Sequence, residues 1–68
     1  MLDPFQDHPL ASSQLENLRK LLLSAQREII SAAALSGVMP SDNALRKIAD
    51  LEVTIGAVET MLDEKRGA

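Results

Sequence analysis

The chain of 68 residues contains no cysteine, tryptophan or tyrosine, and Phe5 is its only aromatic residue. Without cysteine there are no disulfides and no thiolate metal sites. With one histidine, His8, there is no imidazole cluster to hold zinc. The longest unbroken apolar run is four residues, at 32–35. A run that short neither spans a bilayer nor forms the apolar core of a secretory signal. Basic residues are outnumbered, seven against ten acidic, for a formal charge of -3. Phosphate binding needs a local excess of Lys and Arg, so this balance argues against nucleic acid. The lack of cysteine fits a reducing compartment, and the expected location is cytoplasmic. Neither a cofactor nor a small-molecule substrate has a residue set to hold it.

What remains is a short chain rich in Leu, Ile and Ala. At this length folding buries only about 60% of the surface that the unfolded chain exposes, and a lone fold is marginal. Small domains without disulfides or a metal lean on a partner chain.

Three segments separate by composition. Residues 1–12 hold Pro4 and Pro9, which block a regular helix, together with Asp3 and Asp7. This reads as an irregular arm carrying an apolar trio, Leu2, Phe5 and Leu10, as arm contacts. His8 lies there between Asp7 and Pro9. A catalytic imidazole needs a fixed orienting partner, and a solvated loop residue is the expectation.

Residues 13–36 read as a first helix. Ser13-Gln14-Leu15-Glu16 fits a capping box. Leu15, Leu18, Leu22, Ala25, Ile29 and Ala32 then follow at spacings of 3, 4, 3, 4 and 3, a heptad seam without Gly or Pro. Gly37 can take the left-handed conformation that closes a helix. A turn at 37–41 leads to a second helix at 42–66, capped by Ser41 or Asp42. Its seam is Ala44, Ile48, Leu51, Ile55, Val58 and Leu62. Lys65 and Arg66 suit the negative end of the helix dipole. A connection this short forces the helices antiparallel. The expected fold is all-α, an antiparallel two-helix hairpin of coiled-coil type.

One hairpin hides one stripe per helix, and this chain has more apolar residues than that. Leu23 and Ile30 lie beside the first seam, with Leu21 and Leu35 on its other flank. Leu45 and Met61 lie beside the second seam, and Val53 nearly opposite it. Burying about four such side chains would contribute about 6–12 kcal/mol before association costs. That rivals the whole stability of a small domain. The expected partner-binding residues are therefore Leu21, Leu23, Ile30, Leu45, Val53 and Met61. The expected outcome is a four-helix bundle, made by homodimerisation or with another helical protein. Gly56, mid-helix, fits either a tolerated surface site or close approach of a second backbone. Val38 and Met39 are expected to cap the end of the hairpin.

Glu52 and Glu59 flank the second seam and suit cross-helix pairing with Arg19 or Lys20. Arg19, Lys20 and Arg27 form the one basic patch. They support an alternative, a small phage- or plasmid-type regulator that binds nucleic acid, although no aromatic residue is at hand there for base stacking. An enzyme would need an enclosed pocket, which a hairpin of this length does not form alone.

The turn Pro40-Ser41-Asp42-Asn43-Ala44-Leu45 resembles the hairpin turn of type III secretion needle subunits. That family usually has a second proline where this chain has Asn43, and a longer C-terminal helix that polymerises. In length and layout the chain also resembles the small co-chaperones that keep the needle subunit soluble. The second resemblance implies a cytoplasmic hairpin that pairs with a larger helical chaperone. Neither resemblance transfers a residue's role.

Overall fold

A computed structural model describes residues 11–67. The expected arm residues Leu2, Phe5, His8 and Leu10 lie outside them. Among the described residues there are two helices and no strand: α1, Ser12–Ser36, and α2, Asp42–Lys65. They form an antiparallel hairpin, with Leu15 packed on Val58 and Leu62 at the end away from the turn.

The start of α1 corrects the expected Ser13 capping box. The helix begins one residue sooner, with Ala11 as its cap. Alanine has no side-chain acceptor, so only half of a box forms. The Ala11 N–H donates to Gln14 Oε1 at 2.8 Å. Glu16, expected to reach back to Ser13, instead accepts from Arg66 across the hairpin at 3.4 Å.

The turn is built from local hydrogen bonds. Gly37 sits at φ 70°, and its N–H donates to the carbonyl of Ala33. An L side chain there would press its Cβ toward the following carbonyl, which is why glycine closes the helix. The Ser36 hydroxyl donates to Ala33 O and accepts from the Val38 N–H. Ser41 then caps α2, its hydroxyl accepting from the Ala44 N–H at 3.1 Å. Asp42 follows in the first turn, where a negative charge suits the dipole. α2 ends at Lys65, and Gly67 leaves it at φ 80°.

The core is small and lopsided. Among the described residues four apolar side chains are buried: Leu15, Ile55, Val58 and Leu62. Leu22 packs against the cluster of Leu15, Val58 and Leu62 near the open end. Toward the turn Ile29, Ala33, Ala44, Ile48 and Leu51 are only half-buried. Val38 and Met39 do not cap the hairpin as expected; they stand 69% and 79% exposed. Two rods meeting along a line leave their ends open unless the loop folds back, and this loop is too short to do so.

Two substitutions measure this fold. Leu62→Ala should cost about 2–5 kcal/mol of unfolding free energy in a denaturant titration, whereas Leu35→Ala, at an exposed site, should stay within about 0.5 kcal/mol. At Gly56 an added Cβ meets nothing within 4 Å. Gly56→Ala should therefore raise the stability of the hairpin by about 0.5–1 kcal/mol. A loss in its place would mean that a second backbone lies against this position.

Candidate interaction faces

The rotation of α1 about its own axis decides which side chains stay outside. A heptad pattern in α1 permits two neighbouring rows toward α2. One continues Leu15 through Leu18, Leu22, Ala25, Ile29 and Ala32. The other passes through Arg19, Leu22, Gln26, Ile29 and Ala33. The structure turns the second row inward. Gln26 is 9% exposed and Arg19 half-buried, whereas Leu18 is 43% exposed and Ala32 lies outside. The expected seam positions Leu18 and Ala32 are corrected accordingly.

Two cross-helix hydrogen bonds accompany this rotation. Arg19 Nε donates to Glu59 Oε2 at 3.0 Å. Gln26 Nε2 donates to Glu52 Oε2 at 2.8 Å. Both α1 side chains bury apolar stems in the seam and keep a polar end at its edge, as long amphipathic side chains do. No buried side-chain polar atom among the described residues lacks a partner. The Arg19–Glu59 pair is 40% and 47% exposed, so it contributes at most about 1 kcal/mol. Its larger effect is on register.

These bridges divide the hairpin into two lateral flanks. The polar flank carries both of them and, at the open end, Arg66 between Glu16 and Asp63. Leu23, Ile30 and Leu45 belong to this flank by helical periodicity. Leu23 is half-buried; Ile30 and Leu45 are exposed.

The opposite flank is crossed by no side-chain hydrogen bond among the described residues. Ala25, Ile29, Leu51 and Thr54 line one shallow apolar depression there, with Lys47 and Asp50 at its rim. A second depression toward the turn is lined by Ile29, Ala32, Pro40 and Ala44, with Glu28 at its edge. Toward the open end, periodicity places Leu18 and Leu21 with Ala25, and Met61 with Thr54. Leu21 is 69% exposed. The Thr54 hydroxyl donates to Asp50 O within its own helix, which frees its methyl group for contact.

The six expected partner-binding residues therefore do not form one patch. Leu23, Ile30 and Leu45 share the polar flank, Leu21 and Met61 the apolar one, and Val53 lies on the outer side of α2, 74% exposed. Leu18, expected in the hairpin core, joins the apolar flank. The basic trio is divided too: Arg19 is held by Glu59, while Lys20 and Arg27 line an open strip on the outer face of α1 beside Glu28.

Compared with models of known protein families, with curated proteins and with solved structures, the chain matches none.

The role given to Gln26 has a direct check. Glu52 is exposed and can turn to water if its partner is lost. Gln26→Leu should therefore leave the hairpin equally stable or raise its stability by about 1 kcal/mol through added apolar burial. Gln26→Ala, which removes the stem as well, should lower it. Parallel thermal melts of the two variants read the difference, and equal losses in both would show that the polar contact itself holds the helix.

Proposed function

We propose that this chain is a small, non-enzymatic protein–protein interaction module. It acts as a chaperone-like adaptor or inhibitor whose surplus apolar helix faces bind a second copy or a partner's helix. One observation carries the reading. Four apolar side chains are buried within the described hairpin, while nine large ones, Leu18 and Leu21 among them, stay exposed. Scattered apolar residues are ordinary on a surface, but monomeric proteins rarely expose a contiguous apolar stretch such as Leu18, Leu21, Ala25, Ile29 and Leu51 along one flank.

The likeness in length and layout to the co-chaperones of type III secretion points the same way, toward a cytoplasmic hairpin that shields a helix. No helix among the described residues is long and apolar enough to cross a membrane, so a bilayer-spanning helix is not what hides these residues. The nucleic-acid alternative is the poorer fit. Arg19 is engaged with Glu59, and Lys20 and Arg27 share their face with Glu28.

Sedimentation and thermal melting across a hundredfold range of concentration test the proposal. The expected result is association at micromolar protein, with a melting temperature that rises with concentration. A cooperative melt of a monomer, unchanged across that range and indifferent to any other polypeptide, would sink it. The same preparation titrated with duplex and single-stranded DNA at low salt should show no shift. A shift that weakens steeply with salt would favour the alternative.

A further inference from the structure

We infer that a second copy of this chain covers the apolar flank, docked about a two-fold axis at the level of Ala25 and Thr54, with the turns of the two hairpins at opposite ends. The inference rests on the interaction reading above and adds the occupant, the flank and the orientation.

The choice of flank follows from the bridges. Docking over the polar flank would enclose Glu52 and Glu59 of both copies near the bundle axis. Taking such carboxylates out of water costs more than their pairing returns unless every acceptor is satisfied. The opposite flank offers Leu18, Ala25, Ile29 and Leu51 to the axis, and its charges, Lys47, Asp50 and Glu28, lie at the rim, where they can stay in water. Its area also fits. Helices about 37 Å long and about 10 Å across present a face of about 700 Å² per copy, close to the roughly 800 Å² per partner of a stable interface.

The occupant follows from self-complementarity. Leu18, Ala25 and Ala32 form one row on α1, seven residues apart, and Lys47, Thr54 and Met61 form one row on α2. An isologous contact needs a surface that matches its own rotated image. Reversed about Ala25, the first row sets Leu18 on Ala32 of the second copy, large against small. Reversed about Thr54, the second row lays Met61 along the aliphatic stem of Lys47 of the second copy. The two pivots stand within one residue of the same level, about 1.5 Å along the axis, since Gln26 bridges to Glu52 and the pivots line the same depression. A single axis therefore registers both rows at once.

Charge selects the orientation. Gln26 bridges to Glu52, so Glu28 and Asp50, each two residues nearer the turn, also share a level. Both border the apolar flank. With both turns at the same end, α1 would lie on α2 of the second copy, and Glu28 would face Asp50 twice over. With turns at opposite ends α1 lies on α1, and these acids sit about 9 Å apart along the axis. Like charges set directly opposite each other are destabilising.

Single cysteines test the geometry cleanly, since the chain has none of its own. In the inferred dimer Ala25→Cys meets its own image, and so does Thr54→Cys. Under mild oxidation at micromolar protein each variant alone should run mainly as a disulfide-linked dimer, given that a bridge needs Cα atoms within about 7 Å. Ile30→Cys, on the polar flank, should stay monomeric on the same gel. Leu18→Lys should weaken the dimer at least about tenfold by sedimentation, with helical circular dichroism retained.

A disulfide that forms only when Ala25→Cys and Thr54→Cys are mixed would overturn the orientation. Cross-linking through Ile30→Cys but not Ala25→Cys would overturn the flank. If the unmodified chain dimerises and no variant on this flank cross-links, the inference fails while the interaction reading stands. A chain that stays monomeric at every concentration overturns the inference and leaves a partner's helix as the occupant in the interaction reading.

Discussion

The rotation of α1 against α2 governs everything else on this molecule. Two helices in contact can hide one stripe each, and α1 has about two stripes' worth of leucine, isoleucine and alanine. Which residues are left over depends on a turn of about 50° about the helix axis, half the angle of about 100° between Leu18 and Arg19. At the observed angle Arg19 and Gln26 reach Glu59 and Glu52. Neither contact is strong. Both go with a rotation that leaves Leu18 and Ala32 outside the seam and gathers apolar surplus on the side away from the bridges.

Much of the fold is legible in the sequence because it follows from short-range chemistry. Gly37 ends one helix through backbone freedom, and Ser41 begins the next through a hydroxyl within reach of the Ala44 N–H. The seam of α2 is legible for a different reason. Its apolar residues recur at one spacing, flanked by Glu52 and Glu59, and one row satisfies the pattern. Each of those six seam residues is buried or half-buried.

The rotation of α1 is not legible in the same way. A 3.5-residue period fits the row through Leu18 and Ala25 and the row through Arg19 and Gln26 equally well. Hydrophobicity alone favours the first. The second is the one observed, and its polar members meet partners some 26 to 40 residues distant in sequence, a pairing that periodicity within one helix does not contain. The cap at Ala11 is similar: a residue with no polar side chain gives no signal, and the position becomes visible only when Gln14 folds back on its N–H. The expectation for Val38 and Met39 fails on geometry, since a loop this tight has no slack to lay them over the core.

The uneven core carries a consequence for how the hairpin breathes. Its tightest packing, Leu15 with Val58, Leu62 and Leu22, lies beside the chain ends of the described segment, not beside the turn. Helical pairs ordinarily fray from their loose tips inward. Here the tips are clasped, while the covalently joined half holds mostly small or half-covered side chains. Transient opening therefore begins as a bubble next to the loop, with the two strands of helix still fastened below it.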